Sequence, residues 1–419
     1  MKIILFTPIS KFSSIAGCSR LLVDELILQK NDVYIVSTDD SVAHSEQREY
    51  MNPVIAWRDG EKVLSQTSTA DKIIFQMGNS YDFHTGSIYW MQRIKGILIL
   101  HDINLTMTGL RWEVGNKAQP SVLLGNYPRG DENYWPMMEW LCNLSVGVIC
   151  HSNWSAEQVR KSTSNPVATL SLIPNKKTTI YSSESQELKP NIHSHFSDNY
   201  PINLLIFGHI NTNKLSDQVI KILASSDLLV NKCVLKLVGY IHPEIVIDLT
   251  RLSRVLGVRL LIYGAVDDDE LINQINDANI VLCFRMPVLE GASGSLIEAL
   301  LNKKIVFTLS DGHFSEIPED AVIRHADLNK DLVRHLVSFL ENPTVYEETA
   351  IRGAQWAKET YRIDRYVENL KEFFVVVDKA AAFRNAKEQL ASKTRYWNYG
   401  GHANLLLDPC VLNPLGIFE

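Results

Sequence analysis

Short apolar runs alternate with longer amphipathic stretches along this chain. In the first half the apolar runs are "KIILFTP", "NDVYIVS", "DKIIFQMG", "KGILILHD" and "VGVICHS", and each ends in a polar residue or a glycine. Such runs are typical of parallel strands that are buried on both faces. Between the first two runs, "SRLLVDELILQK" spaces its leucines as a helix that packs on a sheet does. The pattern predicts a βαβ unit.

The same pattern starts again after residue 200. The second series is "INLLIFGHI", "CVLKLVGY", "VRLLIYGAV", "ANIVLCF" and "KKIVFTLS", with helical candidates between the runs. Residues 181–200, between the two series, are Ser-rich and polar, as linkers are. We therefore predict an α/β protein with two Rossmann-like, doubly wound parallel-sheet domains, at 1–184 and 201–355, joined by a linker at 185–200. Helices and a tail at 356–419 are predicted to return to the first domain.

Length and composition agree with two domains and limit the classes of molecule that the protein can bind. The chain has 419 residues, more than one ordinary core accommodates, and its net charge is −7. An acidic chain without a Lys/Arg-rich run argues against nucleic acid as a partner. The six cysteines are scattered without a CxxC pair, which favours buried free thiols in a reducing cytoplasm. The first apolar segment is too short for a signal peptide, and no run is long enough to span a membrane. We expect a cytoplasmic protein whose membrane contact, if any, is peripheral.

Several familiar motifs are absent from the sequence. The first strand and turn, "ILFTPISKFSSIAGCS", contain no GxGxxG, which argues against an ordinary dinucleotide-binding domain. No GxxxxGK[ST], HExxH or GxSxG occurs either. The acidic run "DDDE" at 267–270 precedes a helical pattern, where the helix dipole favours negative charge. We interpret it as a helix start and predict no metal site.

The stretch "FRMPVLEGASGSLIEALLNKKIVF", residues 284–307, carries the strongest chemical signal. It predicts a loop feeding a helix whose first turn presents the backbone N–H groups of Gly294 and Ser295, and such a terminus binds anions. Glu290 in the loop and Glu298 inside the helix can bracket a ligand there, because carboxylates accept hydrogen bonds from hydroxyls. A nucleotide sugar fits this layout. The alternative is that Glu298 is a solvated helix residue and Glu290 a loop charge.

These residues resemble a known family. "PVLEGASGSLIEALLNKKIVFTLSDGHFSEI" resembles the E-x7-E segment, with its following GG-x-x-E turn, of the retaining GT-B-fold glycosyltransferases of family 4. "INLLIFGHINTNK" is similar to the strand that opens the donor domain of that family. "FQMGNSYDFH", "GILILHD" and "GVICHSNWSAEQV" resemble acceptor-domain segments of bacterial polysaccharide and lipopolysaccharide members. The resemblance covers roughly residues 1–370 and implies a GT-B fold with the active site in the interdomain cleft.

The resemblance also implies roles for individual residues. Glu290 would contact the donor sugar, Glu298 the ribose hydroxyls, and Lys214 the diphosphate. His101 would lie beside the transferred sugar, and its place after a strand supports this independently, since ligands of open α/β sheets bind beyond the carboxyl ends of strands. The alternative for His101 is a local bond with Asp102.

The resemblance adds further candidate residues on the donor side and on the acceptor side of the site. His209 stands where the family has an arginine, so we expect Arg285 to compensate, because a neutral imidazole is the weaker phosphate ligand. Gly17 matches a glycine-containing loop that approaches the donor phosphates. The full donor-side set is Gly17, His209, Lys214, Arg285, Gly291, Ser293, Gly294, Ser295 and Glu298; the acceptor-side set is Asn79, His84 and Asp102.

The resemblance implies a retaining, metal-independent hexosyltransferase without a cofactor. It would transfer a sugar from a nucleotide-sugar donor to a hydroxyl of a glycan or lipid-linked oligosaccharide, in surface polysaccharide biosynthesis at the inner face of the cytoplasmic membrane. Two alternatives stay open. A nucleotide-sugar epimerase would release a modified donor without an acceptor. A catalytically silent homologue would act as a scaffold or regulatory subunit of a polysaccharide assembly complex.

Overall fold

The computed structural model describes residues 1–40, 46–115, 137–174 and 201–399. The chain divides into two compact units, Met1–Asn369 and Leu370–Glu419. The first unit contains two parallel sheets, which we call the first and second lobes together with their helices. The predicted linker at 185–200 and the end of the predicted tail, 400–419, lie outside the described residues.

The first lobe is a seven-stranded sheet in the order β3-β2-β1-β4-β5-β6-β7. Its strands are β1 (Lys2–Thr7), β2 (Asp32–Ser37), β3 (Val54–Ala56), β4 (Lys72–Met77), β5 (Ile97–Leu100), β6 (Gly147–Cys150) and β7 (Val167–Thr169). Its helices are α1 (Ser14–Leu28), α2 (Gly60–Thr67), α3 (Tyr81–Met91), α4 (Thr106–Gly115), α5 (Glu139–Leu144) and α6 (Asn153–Arg160). Every strand pairs in parallel with its neighbour, which confirms the doubly wound prediction.

The second lobe is a six-stranded parallel sheet in the order β10-β9-β8-β11-β12-β13. Its strands are β8 (Ile202–Phe207), β9 (Cys233–Val238), β10 (Arg259–Gly264), β11 (Ile280–Cys283), β12 (Ile305–Leu309) and β13 (Ile323–His325). Its helices are α7 (Ser216–Ala224), α8 (Asp227–Lys232), α9 (Pro243–Leu256), α10 (Asp268–Asp277), α11 (Gly294–Leu301), α12 (Leu328–Glu341) and α13 (Thr344–Thr360). The five strands predicted here are all present.

A last helix, α14, runs from Ile363 to Tyr399. With α13 it accounts for the helical pattern predicted from about residue 345 onward. The expected return of this segment to the first domain stays a prediction. Within the described ranges, no helix is long and apolar enough to cross a membrane.

The central strands are buried on both faces, as their continuous apolar runs predict. Ile3, Ile4 and Leu5 of β1 have no exposed surface, and the ring of Phe6 stacks on that of Phe75 with centroids 4.5 Å apart. Burying large aliphatic and aromatic side chains on both sides is the main stabilising term for such a sheet. The sheets therefore form the buried core of each lobe, and the loops at their carboxyl ends can supply functional side chains.

Helix α1 begins earlier than predicted, and this corrects one candidate. Ser13 caps the helix: its backbone is extended and its side chain accepts a hydrogen bond from the N–H of Ala16 at 3.4 Å. Gly17 is thus a buried residue inside α1 and not part of a loop. The expectation that Gly17 lies in a phosphate-approaching loop is wrong, because the cap moves the helix start to Ser14.

The acidic run at 267–270 is a helix start, as predicted. Asp267 caps α10 by accepting from the N–H of Glu270 at 2.9 Å, and Asp268 and Asp269 lie in the first turn. These carboxylates complement the positive end of the helix dipole.

The cysteines of the described residues are free and buried. They are Cys18, Cys142, Cys150, Cys233 and Cys283. This confirms the predicted buried thiols at those positions, while Cys410 lies outside the described residues.

Candidate active site

A cavity of about 530 Å³ lies between the carboxyl ends of the two sheets. The first lobe lines it with residues that follow β4, β5 and β6, including Gly78, His101 and His151. The second lobe lines it with residues that follow β8 and β11, including Gly208 and Arg285. Parallel strands end at one edge of their sheet, so residues far apart in sequence meet there.

Most predicted site residues line this cavity. They are Asn79, His84, His101, Asp102, His209, Lys214, Arg285, Glu290, Ser293, Gly294, Ser295 and Glu298. Two predicted residues, Gly17 and Gly291, do not line it. Gly291 instead approaches the first lobe, where its N–H donates to the carbonyl of His101 at 2.7 Å. A Cβ at Gly291 would lie 3.2 Å from that carbonyl, so the close approach of the two backbones favours glycine.

The N-terminus of α11 opens on the cavity. Ser293 caps the helix and its hydroxyl accepts from the N–H of Leu296 at 3.4 Å. A Cβ at Gly294 would meet no heavy atom within 4 Å, so a ligand can approach the backbone there. The partial positive charge of the helix terminus makes this an anion-binding position.

A buried ion pair supports that terminus. Arg285 is 6% exposed, and its Nε donates to Oε1 of Glu290 at 2.6 Å. Its Nη1 donates to the carbonyl of Phe284 at 2.7 Å and its Nη2 to the hydroxyl of Ser295 at 3.2 Å. Burial alone would raise the pKa of Glu290, but the charges of Arg285 and His313 outweigh it and hold the pKa below its ordinary value. Glu290 is therefore ionised at neutral pH and firmly placed.

Lys214 brings a second cationic group to the same wall. It ends the short 3-10 helix Thr212–Lys214, is buried, and its ammonium donates to the carbonyl of Phe207. Burial, and then the charge of Arg285, lower the pKa of Lys214 well below its ordinary value. Gly208 makes room for this side chain: its φ is +88°, and a Cβ there would lie 3.2 Å from Nζ. An anionic ligand would favour the protonated form of Lys214.

Glu298 faces the opposite lobe across the cavity. It lies on α11 and is 8% exposed. Cys18 of helix α1 lines the same cavity, and burial, and then the charge of Glu298, raise the pKa of its thiol to about 12. The alternative of a solvated helix residue is therefore wrong.

His101 is held by its backbone and by Gln76. Its N–H donates to the carbonyl of Met77 at 2.9 Å, and its Nε2 lies 2.6 Å from Oε1 of Gln76. An amide oxygen only accepts, so Nε2 carries the hydrogen and Nδ1 keeps its lone pair. Burial, and then the neighbouring His151 and His84, lower the pKa of His101 well below its ordinary value. The imidazole is neutral at pH 7.

The alternative pairing of His101 with Asp102 does not form. Oδ2 of Asp102 accepts the backbone N–H of Asn79 at 2.7 Å instead. Burial raises the pKa of Asp102 to about 7, with the Asn79 bond opposing the rise and the charge of Glu290 adding to it. Asp102 thus changes charge near neutral pH beside the cavity.

The other acceptor-side candidates shape the turn after β4. Nε2 of His84 accepts the N–H of Gly78 at 3.0 Å, and burial lowers the pKa of His84 to about 3. Oδ1 of Asn79 accepts the N–H of Thr108 at 3.2 Å, which ties this turn to α4. Both side chains line the cavity while supporting its wall.

Sequence reasoning missed His151 and an apolar wall. His151 follows β6 as His101 follows β5, and their rings lie 4.6 Å apart; this strand-end position was the available signal. Nδ1 of His151 lies 3.0 Å from the carbonyl of Leu170, and burial lowers the pKa of His151 to about 4. The apolar wall consists of Phe12, Ile15, Phe83, Met107, Leu172, Ile173 and Leu289. No local pattern gathers these side chains, because they come from separate loops and helices.

The cavity can hold a diphosphate between hydroxyl-bearing groups. Lys214, Arg285 and the α11 terminus supply positive charge, while Glu290 and Glu298 supply hydrogen-bond acceptors. In the described ranges, no group of three or more His, Cys, Asp or Glu side chains could hold a metal ion.

The fold is that of GT-B glycosyltransferases, as predicted. No protein-family model matches the chain, and no curated protein sequence matches it. Among solved structures, the chain is similar to sucrose-phosphate synthase from Thermosynechococcus elongatus, with TM-score 0.62 and 14% identity over 91% of this chain and 100% of that one. It is similar to Anabaena HepE in complex with UDP and glucose (TM-score 0.61, 14% identity, 90% and 100% covered). It is also similar to WaaG, a glycosyltransferase involved in lipopolysaccharide biosynthesis (TM-score 0.58, 14% identity, 89% and 99% covered).

Proposed function

We propose that this protein is a retaining, metal-independent glycosyltransferase that transfers a hexose from a nucleotide sugar to a hydroxyl of a glycan or lipid-linked glycan. The observation that carries the proposal is the cavity itself. It sets Lys214, Arg285 and Glu298 of the second lobe opposite His101 of the first, within a GT-B fold. The similar HepE was solved with UDP and glucose, which makes UDP-sugars the first donors to test.

The donor would bind mainly to the second lobe. Its diphosphate would take the α11 terminus, Lys214 and Arg285, where charge-assisted hydrogen bonds are strongest. Glu298 would accept from the ribose hydroxyls, and Glu290 from the transferred sugar. In this arrangement Arg285 replaces the phosphate-binding charge that His209, exposed at the cavity mouth, does not supply at pH 7.

The barrier to transfer is departure of the nucleoside diphosphate. Positive groups placed in advance stabilise the charge that grows on the leaving oxygen, and the cleft holds the acceptor close. The bond from the anomeric carbon to the diphosphate breaks and a bond to the acceptor oxygen forms on the same face. The acceptor proton passes to the leaving phosphate. Glu290 is engaged by Arg285, so it serves as a hydrogen-bond acceptor and not as a nucleophile.

The acceptor side favours a partly apolar acceptor. Phe12 and Met107 are 69% and 59% exposed while lining the cavity. A lipid-linked glycan would cover such side chains. It would also bring the protein, as a peripheral cytoplasmic enzyme of surface polysaccharide biosynthesis, to the inner face of the membrane.

The first test is donor binding, measured by calorimetry with UDP-, GDP-, dTDP- and CMP-sugars. Glu298→Ala should weaken binding of the preferred donor by about 1–3 kcal/mol, because it removes a buried hydrogen-bond acceptor. The control is Glu341→Ala, which removes an exposed charge at the end of α12. Equal donor affinity in both variants would refute this placement of the nucleotide, and no donor binding by the parent would refute the function.

The second test is turnover. With a bound donor and a hydroxyl acceptor, sugar transfer should persist in EDTA and give a product with the anomeric configuration of the donor. Loss of transfer in EDTA with rescue by Mn²⁺ or Mg²⁺ would refute the metal-independent mechanism. Release of an altered donor without acceptor would favour an epimerase, and donor binding without turnover would favour a scaffold.

A further inference from the structure

One carboxylate of the second lobe binds the backbone of the first. Glu316 ends the 3-10 helix Gly312–Glu316. Its Oε2 accepts the N–H of Asn153 at 3.0 Å, and its Oε1 accepts the N–H of Trp154 at 2.6 Å. Asn153 and Trp154 are the first two residues of α6. We call these two hydrogen bonds the Glu316 contact.

The first lobe leaves these two N–H groups without an acceptor of its own. Helix α6 has a capping box in which Ser152 Oγ accepts the N–H of Ser155 at 3.2 Å and Ser155 Oγ accepts the N–H of Ser152 at 3.3 Å. The N–H groups of Asn153 and Trp154 have no partner within the helix, as is general for a first turn. A carboxylate is the favoured acceptor there, because it also interacts with the helix dipole. The second lobe therefore completes the cap of a first-lobe helix.

The same edge of the first lobe meets the second lobe beside the cavity. The N–H of Gly291 donates to the carbonyl of His101 at 2.7 Å, and the N–H of Ile103 donates to the carbonyl of Leu289 at 3.0 Å. A Cβ at Gly291 would also lie 3.4 Å from Ser155 Oγ on α6. The Glu316 contact is thus part of a continuous interface between the two lobes, and this interface includes the candidate catalytic residue His101.

We propose that Glu316 is a positioning residue that holds the two lobes closed and so brings His101 to the donor bound on the second lobe. The catalytic part of this inference rests on the proposed function; the structural part does not. The contact is solvent-exposed, so salt screens it and it can open and close at low cost. Such a reversible contact suits a cleft that must admit a donor and release a nucleoside diphosphate.

The experiment compares three single variants, and the double variant that combines Glu316→Gln with Asn153→Pro, with the parent. Glu316→Gln removes the charge and replaces one acceptor oxygen with a donor group. Asn153→Pro removes one partner N–H at the first helical position, where proline fits, and Ser152 before it is extended at φ −150° and ψ 159°. The matched control is Glu319→Gln, because the Glu319 side chain is 93% exposed and lies 3.8 Å from Arg324 of the same lobe.

Three readouts separate positioning from folding. Small-angle scattering measures the radius of gyration without substrate, calorimetry measures UDP affinity, and transfer kinetics give kcat/KM. We expect Glu316→Gln and Asn153→Pro to have a larger radius of gyration than the parent at about 50 mM salt and a roughly tenfold lower kcat/KM, with UDP affinity within about twofold. The loss in the double variant should be smaller than the sum of the two single losses, because both substitutions weaken the same contact. At about 0.5 M salt the parent should approach the variants.

Glu319→Gln should match the parent in all three readouts. The inference is overturned if Glu316→Gln behaves as Glu319→Gln does in scattering and kcat/KM, or if Glu316→Gln and Asn153→Pro are additive. The scattering arm needs no substrate. If the parent binds no nucleotide but Glu316→Gln still expands at low salt, the proposed function fails while the Glu316 contact stands.

Discussion

Replacing Glu290 with alanine should destabilise the protein, although its loop position in the sequence suggests that such a change costs little. The structure pairs Glu290 with Arg285, whose side chain is 7% exposed, at 2.6 Å. Removing Glu290 leaves a buried guanidinium without its counter-charge. Arg285 keeps its bonds to the Phe284 carbonyl and the Ser295 hydroxyl, so the loss is partial.

The magnitude follows from these contacts. Breaking a buried ion pair by removing one partner costs roughly 3–5 kcal/mol in free energy of unfolding. Because two other bonds to Arg285 remain, we expect about 3 kcal/mol for Glu290→Ala, at the low end of that range. Glu290→Gln keeps an acceptor for Nε and should cost about 1–2 kcal/mol. Changing both residues, with Arg285→Met and Glu290→Leu, should recover most of the loss, since well-packed apolar pairs replace buried ion pairs at little cost.

The assay is urea denaturation followed by circular dichroism, repeated across pH. The pKa of Glu290 is held below its ordinary value of 4.5 in the folded protein, so the contribution of the pair is fully present above 4.5 and is lost as the pH falls further. The difference between parent and Glu290→Ala should therefore shrink below that pH. A destabilisation under about 0.5 kcal/mol at pH 7 for both single variants would refute this reasoning. It would also restore the expectation that Glu290 matters for transfer alone.

Three further outcomes are expected. His101→Ala should lower the transfer rate at least roughly 10²-fold while UDP affinity, measured by calorimetry, stays within about twofold; near-normal transfer would remove His101 from the active site. The pKa of Asp102 is raised to about 7, so its contribution to stability is present below its unfolded pKa of 3.8 and is lost as the pH rises toward 7. Asp102→Asn, which keeps the acceptor for the Asn79 N–H, should thus lose stability less than the parent between pH 5 and pH 8 in urea titrations; parallel profiles would contradict the shift. Gly208→Val should cost at least about 1–3 kcal/mol of stability, because φ at this position is +88°. It should also weaken UDP binding, because the added Cβ meets the Lys214 ammonium. Unchanged UDP affinity would show that this lysine does not bind the diphosphate.

The sequence by itself determined the two parallel sheets and the α11 terminus. Buried parallel strands need continuous apolar runs, and a helix start needs a cap and small residues. Both features depend on residues that are adjacent in the sequence, so the local sequence predicts them. The three-residue strands β3, β7 and β13 were missed because such short edge segments have no distinct apolar run. Gly17 was misplaced because a single serine cap moved the start of α1.

Only the tertiary structure decided which side chains touch. The pairing of Arg285 with Glu290, the approach of His151 to His101 and the reach of Glu316 to the N-terminus of α6 all depend on how loops at two sheet edges face each other. Glu316 and Asn153 are 163 residues apart along the chain. Periodicity and capping report on a residue's nearest neighbours, whereas a contact across the cleft is set by the packing of two separate cores, and no local pattern encodes that packing.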